Sequence, residues 1–343
     1  MHYLITGHTG FKGAWLSVML KTLGHQVSGI SLAPQSNSIF KMSLLSEIFE
    51  QNLYQDIRTL KSRDLPKMNV DVVIHLAAQP LVKASYKLPI ETFQTNVIGT
   101  LNILEVTKDL TPKVTLIITT DKVYKNSGKM SGYIESDPLG GSDPYSASKA
   151  AADIATQSWR SSYGVAPISI ARAGNVIGGG DFAENRLLPD LINSFIEDKA
   201  PIIRYPQSIR PWQHVLDCLN GYLSLVDKQI NDGVNGEWNF SPPTIPSHSV
   251  ADVATEAAKL WGLDKNWQQD AGELKAETKT LILDSTKARK ELAWTEKLDF
   301  QECLSWTVDF YKRVHKGEAQ REVLQDQVDQ FLSLPKRKQS NIF

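Results

Sequence analysis

Three glycines at three-residue intervals, Gly7, Gly10 and Gly13 in the run GHTGFKG, separate a short apolar stretch, YLIT (3–6), from an apolar helical one, FKGAWLSVMLKTLG (11–24). Few folds accommodate that order. A β-like run that feeds a glycine loop opening a helix is the start of a βαβ unit, and βαβ units build parallel sheets. Missing side chains in such a loop let the backbone approach a pyrophosphate, while the helix N-terminus stabilises its negative charge. A tight βα turn that binds nothing uses glycine as well. The Gly-x-x-Gly-x-x-Gly spacing also differs from the Gly-x-Gly-x-x-Gly of ordinary dinucleotide dehydrogenases.

The alternation continues through the first half of the chain. Further β-branched runs are QVSGIS (26–31), VDVVIHLA (70–77), KVTLIITT (113–120) and APISIAR (166–172), and a helical pattern covers TFQTNVIGTLNILEVTKDL (92–110). The pattern predicts an α/β fold, a Rossmann-like doubly wound parallel sheet with helices on both faces. From about residue 173 the sequence turns loop-rich, with GNVIGGGD and RYPQSIRPWQHV, and then helical at 213–230 and 249–263. The expected organisation is a dinucleotide-binding domain at 1–172, completed by parts of 205–245. A smaller, partly interleaved C-terminal α/β substrate domain follows at 173–335, and a polar tail at 336–343.

Composition narrows the partners. A formal net charge of -1 over 343 residues gives no electrostatic reason for nucleic acid or an anionic membrane as partner. No apolar run approaches the ~20 residues of a membrane span. The two cysteines, Cys218 and Cys303, suit neither a disulfide framework nor a metal site, so no metal is expected. The first residues already belong to the run that feeds the glycine loop, and the expected location is the cytoplasm.

Chemistry concentrates at two places. In DPYSASKAAAD (143–153), Tyr145 and Lys149 stand four apart behind Asp143 and Pro144, a plausible N-cap and first helical residue, so both side chains project from one helix face. Chance alone gives about 0.8 such pairs in this composition, so position must decide. The pair follows the strand end LIITTDKVY, near the carboxyl edge where parallel sheets bind ligands. A tyrosine with a reference value near 10 is a poor base at neutral pH, and a nearby ammonium favours its phenolate. At the strand end Thr119, Thr120, Asp121 and Lys122 add a hydroxyl donor, an acid and a second titratable group, enough to expel a hydroxyl and remove a carbon-bound proton. A β-turn using Asp and Lys for solubility is the bland alternative.

Taken together, GHTGFKGAWL, HLAAQPLV, ETFQTNVIGT, TTDKVY, DPYSASK, RAGNVIGGGD and IRPWQHV resemble the extended short-chain dehydrogenase/reductase superfamily, and within it the sugar-nucleotide 4,6-dehydratases of the CDP-sugar branch. The resemblance covers roughly residues 1 to 245. It implies NAD as cofactor, CDP-glucose or a related nucleotide sugar as substrate, and a homodimer or dimer of dimers. It implies that Tyr145 takes the C4 hydroxyl proton, that Lys149 lowers the tyrosine and holds the nicotinamide ribose, and that Thr120 bonds the C4 oxygen. Asp121 then protonates the departing C6 hydroxyl and Lys122 or a water removes the C5 proton. The better-known dTDP branch has Glu where Lys122 stands, and a lysine base needs its ammonium depressed.

Cofactor contacts implied are Gly7, Thr9, Gly10, Phe11, Lys12 and Gly13 in the loop, Asp56-Ile57 at the adenine, Leu76, Ala77, Ala78 and Gln79 beside the pyrophosphate and ribose, and Asn96. Asn175, Arg186 and Arg210 would receive the substrate nucleotide and diphosphate, although a structural salt bridge is the other use of an arginine. The second strand ends in SLAPQS, with neither the expected ribose-binding acid nor an arginine for a 2′-phosphate, so NAD and NADP stay open on the residues alone. An NAD-dependent epimerase shares Tyr145 and Lys149 but expels no hydroxyl. A non-catalytic cofactor sensor needs no proton-transfer set.

Overall fold

The computed structural model describes residues 1–164, 166–243, 248–263, 267–270 and 281–337, so the last positions of the polar tail, 338–343, lie outside the described residues. Its centre is a sheet built from β1 (His2–Thr6), β2 (Gln26–Ser31), β3 (Gln51–Tyr54), β4 (Val72–His75), β5 (Val114–Ile118) and β6 (Ile168–Ala173). Four two-residue strands follow, β7 (Val176–Ile177), β8 (Ile202–Ile203), β9 (Ile209–Arg210) and β10 (Gln213–His214), before β11 (Gly236–Phe240) joins the sheet. The spatial order is β11-β6-β5-β4-β1-β2-β3, and all six pairings are parallel. The expected doubly wound sheet is therefore present. Its strand order reverses at β1, where β2 lies on one side and β4 on the other, and such a switch point opens a crevice at the carboxyl ends.

The helices are α1 (Phe11–Thr22), α2 (Ile39–Met42), α3 (Val82–Lys87), α4 (Pro89–Phe93), α5 (Gly99–Leu110), α6 (Pro144–Tyr163), α7 (Leu187–Ile196) and α8 (Val215–Asp232). Then come α9 (Val250–Trp261), α10 (Thr286–Leu292), α11 (Phe300–His315) and α12 (Gln320–Ser333). Alternate strand residues face opposite layers, as the two-residue period demands. Tyr3 and Ile5 join Trp15 and Leu16 of α1 and Leu219 of α8 in the main core, whereas Leu4 between them packs with Ile103 and Val106 of α5. Trp15 also ties the sheet to the C-terminal half, its Nε1 donating to Gly179 O at 2.9 Å.

Two elements depart from the sequence pattern. The run 113–120 leaves the sheet after Ile118: Thr119 N makes the last ladder bond, to Ala171 O, and the Thr120 side chain then caps a single turn over Asp121–Val123. The helical pattern over 92–110 is broken by a π turn at Gln94–Ile98, which turns Asn96 into the interior. Among the described residues no helix is long and apolar enough to cross a membrane, and no group of three or more His, Cys, Asp or Glu could hold a metal ion.

Beneath the carboxyl edge lies a fully buried ion pair. Arg172 of β6 donates from Nε and Nη2 to the two oxygens of Asp153 on α6 at 2.9 and 2.8 Å. Thr119 Oγ1 donates to the same carboxylate at 3.1 Å, and Arg172 Nη1 continues to Tyr124 Oη at 2.8 Å. Tyr124 in turn donates to Asn239 Oδ1 of β11 at 2.7 Å. Removing one partner of such a pair strands the other in low dielectric. Arg172→Met should therefore lower stability by about 3–5 kcal/mol, read as a shift of the denaturant midpoint. A midpoint within about 0.5 kcal/mol of the parent would contradict a structural role for the pair.

Candidate active site

The glycine loop is built for close approach. Gly7 has φ +75°, and a Cβ there would stand 2.7 Å from Ala77 N, so the loops after β1 and β4 touch backbone to backbone. A Cβ on Gly13 would collide with Gly7 O and stand 2.6 Å from His8 Cα, whereas Gly10 is exposed. The first turn of α1 has neither a side-chain cap nor an acid. Its free N–H groups are therefore available to an anion, and the donor set fits the diphosphate of a dinucleotide. Thr9 Oγ1 bonds Ser31 Oγ at 2.7 Å and donates to Leu32 O at 3.1 Å, which fixes the loop to the end of β2.

The second wall is held by Asn96. Its Oδ1 accepts from Gln79 N at 2.8 Å, and its Nδ2 donates to Gln79 O and to Ser148 Oγ. Leu76, Ala77 and Ala78 thus form a half-buried ledge between two anchored ends. His75, which the sequence puts at the same strand end, points inward instead. It is buried between the hydroxyls of Thr6 and Thr100, and burial pushes its imidazole down to about 3, so it is a neutral structural link.

Asp56 and Ile57 part company in the same way. Ile57 is buried against Gly99, and the Asp56 carboxylate receives Arg58 Nε and Nη2 at 2.8 and 2.6 Å, a pair that holds it below the usual carboxylate range. Arg58 was not singled out in the sequence.

At the carboxyl edge the chemical groups converge. Thr120 Oγ1 lies 2.8 Å from Asp121 Oδ1, and the buried phenol of Tyr145 stands beside Thr120. Burial raises the Tyr145 phenol to about 12, opposed by Thr120 and, less, by Arg186. Burial also raises the Asp121 carboxyl, against the pull of Lys122, Thr120 and Arg210. Asp121 Oδ2 is buried without a hydrogen-bond partner among the described residues, which suits a neutral carboxyl holding its own proton. Lys149 donates to Ile118 O at 2.9 Å, and burial together with Lys12 brings its ammonium down to about 8.

The remaining predicted contacts lie around this centre. A Cβ on Gly174 would stand 2.8 Å from Pro211 Cγ and 3.5 Å from Asp121 Oδ2, so the loops bearing Asn175 and Arg210 abut the strand end. Asn175 O accepts from Gln213 N at 3.1 Å. Arg186 is engaged in an ion pair with Asp181 at 2.7 Å, and Arg210 is buried, donating to Ile209 O. Phe11 is half-buried near Gly178. Trp212 and His214 are packing residues: Trp212 donates to His248 O, and His214 caps α8 between Trp15 and Trp306. Asp153, bonded to Thr119 and Arg172, and Tyr222, bonded to Lys12, border the candidate groups and were not singled out in the sequence. Lys83, which donates to Asn185 Oδ1 at 2.5 Å, likewise joins α3 to the loop before Arg186.

The sequence model of the NAD dependent epimerase/dehydratase family matches residues 3–240. The chain belongs to that family. It is an NAD-dependent enzyme. The CDP-glucose 4,6-dehydratase of Salmonella typhimurium is 40% identical over 329 residues, 92% of this chain and 91% of that one. The dTDP-glucose 4,6-dehydratase of Haemophilus influenzae is 28% identical, with 91% and 98% covered. Among solved structures, the UDP-glucose 4-epimerase of Thermotoga maritima superposes with TM-score 0.81 at 22% identity over 92% of this chain and 99% of that one. The dTDP-glucose 4,6-dehydratase of Bacillus anthracis, solved with NAD, gives 0.78 at 22% over 94% and 99%. Both show the epimerase/dehydratase fold.

Gly13→Ala should push the loop off the diphosphate position. NAD binding measured by calorimetry should weaken at least about tenfold, since a displaced N–H cradle forfeits hydrogen bonds to a charged group. Unchanged affinity would mean that the loop does not carry the diphosphate.

Proposed function

We propose that this NAD-dependent sugar-nucleotide dehydratase converts CDP-glucose to CDP-4-keto-6-deoxyglucose. The observation that carries the reading is the buried Asp121, raised toward its neutral form, its Oδ1 bonded by Thr120 Oγ1 at 2.8 Å and its Oδ2 without a partner among the described residues. An epimerase has no hydroxyl to expel and no use for that acid. The 40% identity to a CDP-glucose 4,6-dehydratase supports the nucleotide and sugar.

Tyr145 takes the C4 hydroxyl proton, and Thr120 bonds the C4 oxygen. Lys149 favours the phenolate and holds the nicotinamide ribose. Bound NAD supplies an acceptor that stores the C4 hydride and returns it at C6. The 4-ketone acidifies C5, Lys122 or a water removes that proton and returns one to C5 as hydride reaches C6, and Asp121 in its protonated form donates to the departing C6 hydroxyl. Gly7, Thr9, Gly10, Phe11, Lys12 and Gly13 would hold the cofactor diphosphate, with Asn96 steadying the ledge opposite. Arg186 and Arg210 would meet the substrate diphosphate and Asn175 its nucleotide, which requires Arg186 to share or release Asp181.

Exposed apolar side chains on α4 to α6, Ile90, Phe93, Ile98 and Ile154, support a homodimer through these helices, with a dimer of dimers as the larger form. A sedimentation mass of one chain would contradict it. Two buried, unpaired cysteines suit the cytoplasm, which cell fractionation tests.

Incubation with CDP-glucose and catalytic NAD should remove one water from the sugar nucleotide, seen by mass spectrometry, with no net NADH. Loss of water only from another nucleotide sugar would correct the substrate, and no loss from any would overturn the dehydratase reading. Tyr145→Phe should cut turnover by about 10³ or more with NAD affinity within about tenfold. Asp121→Asn should still reduce bound cofactor in a single turnover but lose elimination by about 10² or more. Equal loss of both stages would argue against a dedicated acid.

A further inference from the structure

The first turn of α6 is a joint rather than an open helix end. Pro144, its first residue, has no N–H, and Asp143 takes the next donors, Ser146 N with its side chain at 3.0 Å and Ala147 N with its carbonyl at 2.9 Å. That leaves the N–H of Tyr145. It is donated out of the helix, to Ser85 Oγ of α3 at 3.1 Å. Ser85 has no solvent exposure, and its own hydroxyl donates to Val82 O at 2.7 Å, so the oxygen meets Tyr145 N as an acceptor.

The carbonyl of the same tyrosine is held from the other side. Ser148 Oγ donates to Tyr145 O at 2.7 Å and accepts from Asn96 Nδ2 at 2.9 Å. Asn96 Oδ1 accepts from Gln79 N at 2.8 Å, Gln79 Oε1 accepts from Leu81 N at 2.6 Å, and Leu81 O accepts from Ser85 N at 3.0 Å. These bonds close a ring through Gln79, Leu81, Ser85, Tyr145, Ser148 and Asn96. One side of the ring is the ledge assigned to the cofactor, and the other is the backbone of the residue assigned as base.

We propose that Ser85 is a positioning residue that sets Tyr145 against the cofactor ledge for proton and hydride transfer at C4. The inference rests on the reading of Tyr145 as the group that takes the C4 hydroxyl proton. An alanine at 85 keeps the helix but leaves Tyr145 N a buried donor without its acceptor, and the first turn of α6 shifts to satisfy it. A misplacement of about 1 Å at a reacting group costs on the order of 10²-fold in rate. Asp121 and Lys122, on the turn after β5, are not members of the ring, so the loss falls on C4 oxidation.

The test is single turnover of NAD-loaded enzyme with CDP-glucose, followed by the absorbance of bound NADH, in an Asp121→Asn parent where reduced cofactor accumulates. Deuterium at C4 of the sugar identifies the hydride-transfer phase. Ser85→Ala should slow that phase at least about tenfold, at unchanged amplitude and with NAD affinity within about threefold. Ser148→Ala, which opens the ring at Tyr145 O, should slow the same phase. Thr156→Ala, whose hydroxyl donates to Ala152 O within α6, should keep the parent rate constant. The parent rate constant in Ser85→Ala, with or without a smaller amplitude, would mean that the hydroxyl serves only the fold and would overturn the proposal, as would equal slowing in Thr156→Ala. Should Ser85→Ala not fold, Ser148→Ala decides by the same criteria. If the Asp121→Asn parent itself forms no reduced cofactor, the base assignment fails and the inference fails with it.

Discussion

The buried pair between Asp153 and Arg172 is the interaction on which the site depends. It joins α6 to β6, and through Thr119 it also fixes the end of β5; α6 and the turn after β5 carry every proposed catalytic group. Through Tyr124 and Asn239 it reaches β11. A charged pair without solvent exposure is costly unless its hydrogen bonds are complete, and here both carboxylate oxygens and all three guanidinium nitrogens have partners. Completeness of this kind is sensitive to geometry. The strand end that bears Thr120 and Asp121 is consequently held against the helix that bears Tyr145 and Lys149.

Above that floor, burial does the chemical sorting. The same loss of water raises Asp121 and Tyr145 and lowers Lys149, which biases the acid toward its neutral form and brings the lysine down to about 8. In the ligand-free protein Tyr145 remains a phenol. In the proposed mechanism the charges that make it a base are Lys149 and the nicotinamide cation. Arg186 and Arg210 act on this centre from the C-terminal half, and they are the groups proposed to meet a substrate diphosphate.

Much of this was legible in the sequence, for identifiable reasons. Gly7 and Gly13 announce a backbone contact because only glycine fits where a Cβ would strike Ala77 or Gly7. Tyr145 and Lys149 are legible because helical spacing puts them on one face, and the β-branched runs reveal a parallel sheet because both sheet faces are covered. Pairings made across the fold were not legible. Nothing in the separation of Asp153 and Arg172, of Lys12 and Tyr222, or of Asp181 and Arg186 signals a contact. Strand and helix limits shifted for the same reason: Thr120 has strand-like propensity but caps a turn instead of continuing the ladder, and Asn96 is drawn inward by the loop it holds. His75, at the strand end just before the predicted contacts Leu76 to Gln79, is spent on Thr6 and Thr100.

The most direct measurement is the fate of the C4 hydrogen. CDP-glucose deuterated at C4, turned over with unlabelled NAD and solvent, should yield a 4-keto-6-deoxy product with the deuterium at C6, because one bound cofactor takes and returns the same hydride. Deuterium found again at C4 in an epimerised sugar, or released to solvent with no C6 label, would contradict the assignment of Tyr145, Lys149, Asp121 and Lys122 to a single dehydrating site.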